Sequence, residues 1–218
     1  MKEFDVNFVV CTPDAEKTMG YVARVSNPAN QDNPDVSKLL AYCIKGQHWS
    51  VFEGASMTLE VRTSRAIAAQ ILRHRSFTFQ EFSQRYASPQ DFVVYSARRQ
   101  DTKNRQNSID DLSEDDKIWF KNVQQTIWNQ SKSVYDDAIR RGIAKECARF
   151  ILPMNVETKI YMTNNVRGWI HYIQLRTKQG TQLEHLEIAE ACKKVFCEKF
   201  PIVAKALEWR NNETGNPS

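Results

Sequence analysis

The chain has 218 residues, 41% hydrophobic content and a formal net charge of +4 at pH 7. That length supports one sizeable core, and the modest charge suits anionic small molecules better than a long nucleic-acid footprint. No stretch approaches the roughly 20 apolar residues that span a bilayer, residues 1–5 do not read as a signal peptide, and five scattered cysteines without a Cys-x-x-Cys read as reduced thiols of a cytoplasmic protein.

Phe4, Val6, Phe8 and Val10 alternate with polar residues and predict a first strand. A helix follows from Pro13-Asp14, with Met19, Val22 and Ala23 at helical spacing, and Pro28 stops it. Val36, Leu39, Leu40, Cys43 and Ile44 give a second helix that ends near Gly46. The loop from Gly46 to Glu53 places His48 and Glu53 five residues apart. Met57, Leu59 and Val61 alternate as a half-buried strand. Ser64 is a suitable N-cap for a helix burying Ile67, Ala68, Ile71 and Leu72, with Gln70 and Arg73 on one side. Arg73, His74 and Arg75 then fall at a helix C-terminus, where cations are favoured.

Residues 91–95 read as a strand, and residues 98–107, dense in charge and amide, as a mobile surface loop. Ser113 caps a long helix with Glu114, Asp115 and Asp116 in its first turn, an expected buried stripe of Trp119, Val123, Ile127, Val134 and Ala138, and Gly142 at its end. A helix over 143–152 stops at Pro153. Val156, Thr158, Ile160 and Met162 alternate as a strand, and Asn164-Asn165 cap a helix with Val166, Ile170 and Ile173 as its apolar stripe. Arg167, His171 and Gln174 lie on another face, and Arg176 about half a turn from Arg167. A last helix carries Ile188, Cys192, Val195 and Phe196, and 211–218 is expected to be a disordered tail. These elements predict an α/β fold: a single mixed domain over 1–210, with a small, largely antiparallel sheet flanked by helices.

No Gly-x-Gly-x-x-Gly or Gly-x-x-x-x-Gly-Lys occurs, so phosphates must be held by side chains and helix N-termini. The histidines and cysteines lack metal-ligand spacing, so no metal is expected. Ser83 lacks a Gly-x-Ser-x-Gly context. What remains is arginine, whose planar fork matches phosphate oxygens two at a time. Alone, Arg73-His74-Arg75 reads as a solvated basic helix end.

Arg73-His74-Arg75, seven residues, then Ser83, with Arg85-Tyr86 just beyond, resembles the signature of the flavin-dependent thymidylate synthases. The resemblance extends to the Gly46–Glu53 loop, to Arg149 before Leu152-Pro153, to the Asn165-x-Arg167 helix with its later Arg176, and to Gln182-x-Glu184. It departs at Gly54 and Gly180, where relatives often carry histidine, and at His171, where many members have a small polar residue.

The resemblance implies FAD as cofactor, dUMP as substrate, methylenetetrahydrofolate as carbon donor, NADPH as reductant and dTMP as product. It implies a dUMP site of Gln70, Arg73, Glu81, Phe82, Ser83, Gln84, Arg85, Arg149 and Arg176. It implies an FAD site of Ser26, His48, Ser50, Glu53, Arg73, His74, Arg75, Ser76, Asn165, Arg167 and His171. Arg176, Ser83 and His48 form the implied catalytic set. A homotetramer with sites shared between subunits is expected, with no nucleic-acid or membrane partner. Ser83 invites a nucleophilic role, but an alkoxide needs a base within hydrogen-bond reach, and His74 is nine residues away; Ser83 is expected to bind phosphate. The competing readings are a single-stranded nucleic-acid binder, with the arginines and aromatics as a stacking groove, and a catalytically inactive relative.

Overall fold

The computed structural model describes residues 4–89 and 91–209. Its centre is a four-stranded antiparallel sheet in the order β1-β2-β6-β3. These strands are β1 (Asp5–Cys11), β2 (Ser56–Ser64), β3 (Thr78–Glu81) and β6 (Glu157–Asn165). β2 and β6 pair along their whole lengths, from Ser56↔Asn165 to Ser64↔Glu157. The alternation read from sequence puts Met57, Leu59 and Val61 of β2 and Ile160 and Met162 of β6 into the core.

Six helices pack with the sheet and one another around that core: α1 (Ala15–Ala23), α2 (Ser37–Lys45), α3 (Arg65–Ile71), α6 (Val166–Arg176), α7 (Leu183–Lys199) and α8 (Pro201–Ala206). Trp169 of α6 is fully buried and donates its indole N–H to the Met57 carbonyl at 2.8 Å, tying helix to sheet. α3 (Arg65–Ile71) starts on the Ser64 cap, whose Oγ accepts from the Ile67 amide. Among the described residues no helix is long and apolar enough to cross a membrane.

Several expectations are corrected. The register of β1 shifts between Phe8 and Val10, and this bulge leaves Phe8, Val9 and Val10 exposed instead of alternating inward. Residues 91–95 form no strand; Phe92 makes a single bridge to Val156. Residues 98–107 are not an unstructured loop. β4 (Arg99–Gln100) and β5 (Ser108–Ile109) make a hairpin, fastened by a forked Arg99–Asp111 pair. Inside the hairpin, Asp101 accepts from the amides of Lys103 and Asn104, and Gln100 Nε2 donates to main-chain carbonyls. The helix expected over 143–152 is one short helix, α5 (Lys145–Ala148), and a 3-10 turn, Arg149–Ile151. The expected tail, 211–218, lies outside the described residues.

The long helix α4 (Glu114–Arg140) forms on its Ser113 cap as read, but its buried face differs. Trp128, Tyr135 and Ala138 are buried, while Trp119, Ile127 and Val134 are 62%, 46% and 52% exposed. Ile127 and Val134 each sit one residue, about 100°, from a buried neighbour. The helix carries two apolar stripes, and the chain's own core covers one.

Candidate active site

The junction of β6 and α6 builds the first part of the site. Asn165 caps α6, its Oδ1 accepting the Gly168 amide at 2.8 Å. Asn164 accepts from the Asn165 amide and donates to Ser76 Oγ at 3.3 Å, so the helix start is linked to the Arg73–Arg85 stretch. Gly168 makes room for this: a Cβ there would lie 2.0 Å from Asn164 Nδ2. Arg167, the next helical side chain, pairs with Glu53. Glu53, Ser76, Asn165, Arg167 and His171 therefore line one cleft of about 540 Å³, with Trp49 and Ile170 as apolar walls.

His48 and Ser50 flank Trp49 on the 3-10 turn Trp49–Glu53 and its approach, and both are exposed; the His48 ring packs edge-on against Tyr42. Ser26 lies apart, in a separate cleft of about 420 Å³ beside Arg24. Arg24 is buried and donates to the Asn33 and Asp35 carbonyls, stapling that loop. Gly54 has ordinary backbone angles and open space around it. Gly180 has φ +91°, a conformation that a histidine there would strain.

Behind the cleft runs a buried polar line. α3 ends at Ile71, and the turn after it carries His74 inward while Arg73 and Arg75 stay exposed. Arg176 Nε donates to His74 Nε2 at 2.8 Å. The His74 ring stands edge-on to Tyr172, with centroids 4.9 Å apart. The Tyr172 hydroxyl meets His185 Nε2 at 3.2 Å, and His185 Nδ1 is buried without a hydrogen-bond partner. Burial, helped by the Arg176 charge, lowers His74 to a pKa of about 4 and His185 to about 3. Both imidazoles are neutral at pH 7.

The expected nucleotide residues fall into two groups. Gln70, Arg73 and Arg176 belong with His74. Gln70 donates to Gln182 at 2.5 Å, Gln182 to Glu184 at 2.8 Å, and Arg98 pairs with the other Glu184 oxygen at 2.6 Å. The second group follows β3. Glu81 accepts from Thr158 and pairs with Arg65, and the half-buried Phe82 donates its amide to Lys159. Ser83 Oγ accepts from the Arg85 amide, Gln84 is buried, and Arg85 pairs with Glu146. The Arg149 guanidinium stands over the Phe150 ring. Arg73 and His74 precede β3 in the chain, and Ser83, Gln84 and Arg85 follow it.

Four residues of this arrangement were not singled out from sequence: Asn164 as a link, Gly168, Tyr172 and His185. The doubled Asn164-Asn165 and a glycine in the first helical turn were the available signals for two of them. Tyr172 and His185 belong to no motif and to neither apolar stripe read from the sequence.

The sequence profile described as thymidylate synthase complementing protein matches residues 7–202. The chain is 57% identical over 197 residues to a probable flavin-dependent thymidylate synthase of Paramecium bursaria Chlorella virus 1, covering 89% of this chain and 91% of that one. It is 56% identical over 194 residues to a flavin-dependent thymidylate synthase of Synechocystis sp. PCC 6803, covering 89% and 90%. Among solved structures, a UMP/dUMP methylase from Streptomyces cacaoi, bound with 5-Br dUMP, superposes with a TM-score of 0.84 over 95% of each chain at 25% identity.

Proposed function

The chain belongs to the thymidylate synthase complementing protein family of flavin-dependent thymidylate synthases, and from that premise we propose that it methylates dUMP to dTMP in a site assembled from more than one subunit. FAD is the proposed flavin, methylenetetrahydrofolate the carbon donor and NADPH the reductant. The observation that carries the reading is Arg176. Its one charged-site contact is a neutral histidine, and among the described residues no carboxylate pairs with it, while Glu53, Glu81, Glu146 and Glu184 each pair with another arginine.

An uncompensated cation suits a site where negative charge builds on a pyrimidine ring during attack from C5. Arg176 takes that place, with Gln70 and Arg73 orienting the nucleotide. Ser83, Arg85 and Arg149 take the phosphate, which carries nearly two negative charges. Glu81, Phe82 and Gln84 shape the backbone that presents them.

The cleft of Glu53, Ser76, Asn165, Arg167 and His171 fits a flavin: it offers hydrogen-bond donors and acceptors, a helix N-terminus and apolar walls. His48, Ser50, His74, Arg75 and Ser26 complete the proposed set. When bound, the flavin supplies the redox chemistry, passing electrons from the reduced nicotinamide to the transferred carbon. The test is dTMP formation by the flavin-loaded protein with dUMP, methylenetetrahydrofolate and NADPH. Product that depends on every component is expected; no product from flavin-loaded protein contradicts the reading.

The split of the nucleotide residues supports a shared site. With the two groups on either side of β3 in the chain, a second copy brings its Ser83–Arg85 end to the Arg176 end of the first. The open stripe of Trp119, Ile127 and Val134 supplies apolar area for such packing. Sedimentation is expected to give a tetramer, and a fully active monomer would rule the arrangement out.

Ser83 has no base beside it among the described residues: His74 serves Arg176, and Glu81 serves Thr158 and Arg65. Ser83→Ala should raise the dUMP concentration for half-maximal rate by the roughly 1.5–3 kcal/mol of a hydrogen bond to a charged group. Saturating dUMP should restore turnover. Complete loss of dTMP at saturating dUMP, with FAD and dUMP still bound, would make Ser83 a nucleophile.

A further inference from the structure

We infer that His74 is a positioning residue for Arg176, and that the buried Tyr172–His185 pair fixes the His74 ring that does so. The inference rests on the placing of Arg176 at the pyrimidine. A guanidinium Nε always carries its hydrogen, so the 2.8 Å contact requires a lone pair on His74 Nε2. His74 is then a neutral imidazole with its hydrogen on Nδ1. A carboxylate in its place would orient Arg176 equally well but cancel its charge. A neutral acceptor on Nε fixes the plane of the fork, leaves both terminal nitrogens for the ligand, and keeps the full positive field.

The support beneath is costly and specific. Tyr172 lies one helical turn before Arg176 on α6, and both face His74. His185 comes from the first turn of α7. Tyr172 and His185 are wholly buried, and His185 Nδ1 has no hydrogen-bond partner. A buried unpaired nitrogen destabilises the fold, and an apolar side chain would avoid that. The presence of a histidine at this buried position is explained if its ring and its hydrogen bond hold Tyr172, and Tyr172 holds His74, in one orientation. The charged and titratable groups facing His74 are Arg176, His171, His185 and Tyr172.

The test is a double-mutant cycle between positions 74 and 176. His74→Phe removes the acceptor and should lower turnover by about 10², the scale of a small misplacement of a catalytic group. His74→Gln returns an acceptor oxygen and should recover to within about tenfold of the parent, as the net worth of one hydrogen bond allows. In an Arg176→Lys background, His74→Phe should cause no further loss in the rate per bound flavin, which separates this role from any contact of His74 with the flavin. Equal loss in both backgrounds would show that His74 acts independently of Arg176 and would overturn the inference. If His74→Phe does not fold, Tyr172→Phe in the same two backgrounds reads the same coupling.

The cycle is also run on dUMP affinity by calorimetry, which needs no turnover. A chain that makes no dTMP but shows coupled affinities overturns the methylation reading and leaves the His74–Arg176 relation intact. Additive affinities overturn the positioning role whatever the turnover.

Discussion

Arg176→Lys should lower the rate of dTMP formation at saturating dUMP by about 10²–10³, the usual loss on removing one preorganised electrostatic donor. Lysine keeps the charge, so a long-range field alone would be nearly preserved. It loses the planar fork and the side-chain Nε–H that meets His74. An ammonium reaching the same space has no fixed orientation, and its strong hydration competes with the ligand. Flavin content should stay at the parent level, because the proposed flavin cleft is lined by Arg167 and its neighbours. A rate within twofold of the parent would remove Arg176 from the chemistry.

Glu184→Ala should destabilise the protein by about 3–5 kcal/mol, the cost of breaking a buried ion pair by removing one partner. Arg98 and Glu184 side chains are 15% and 6% exposed, and their contact is 2.6 Å. Glu184 also stands in the first turn of α7, where a negative charge is favoured. Its second oxygen holds Gln182, which holds Gln70. Without the carboxylate, the Arg98 guanidinium keeps only Ser108 Oγ as a side-chain partner among the described residues. The hairpin β4–β5 then loses its tie to α7. Glu184→Gln keeps the shape and should cost less. Thermal midpoints at one fixed protein concentration measure both, since assembly contributes to apparent stability. A midpoint for Glu184→Ala within a degree of the parent would mean that solvent screens this pair.

The sheet and the α6 entry were legible because they rest on local rules. Alternation in β2 and β6 states which side chains face the core, and Asn165 announces a helix start. The bulge in β1 was not legible, because Phe8, Val9 and Val10 are all apolar and alternation cannot say where one residue is extra. α4 offered two apolar stripes about 100° apart, and nothing local decides which one the chain's own core takes. The 98–107 segment looked mobile by composition, yet its amides and carboxylates close on its own backbone. Of the residues expected at the flavin, Glu53, Ser76, Asn165, Arg167 and His171 meet in one cleft, while Ser26 stands in another. His74 and Arg176 are 102 residues apart, and their hydrogen bond depends on how the α3 turn meets α6. His185 had no motif at all; only burial beside Tyr172 reveals it.

The shared site is tested most directly by complementation. One chain carries Arg176→Lys; a second carries Arg85→Ala and Arg149→Ala. Each alone should make little dTMP. Dissociated, mixed and reassociated, they form hybrids in which some sites combine an intact Arg176 from one subunit with an intact Arg85 and Arg149 from the other. The expected result is dTMP formation well above either parent, in a fraction that mass spectrometry identifies as hybrid. Hybrids that form and remain as inactive as their parents would contradict a site built from two subunits.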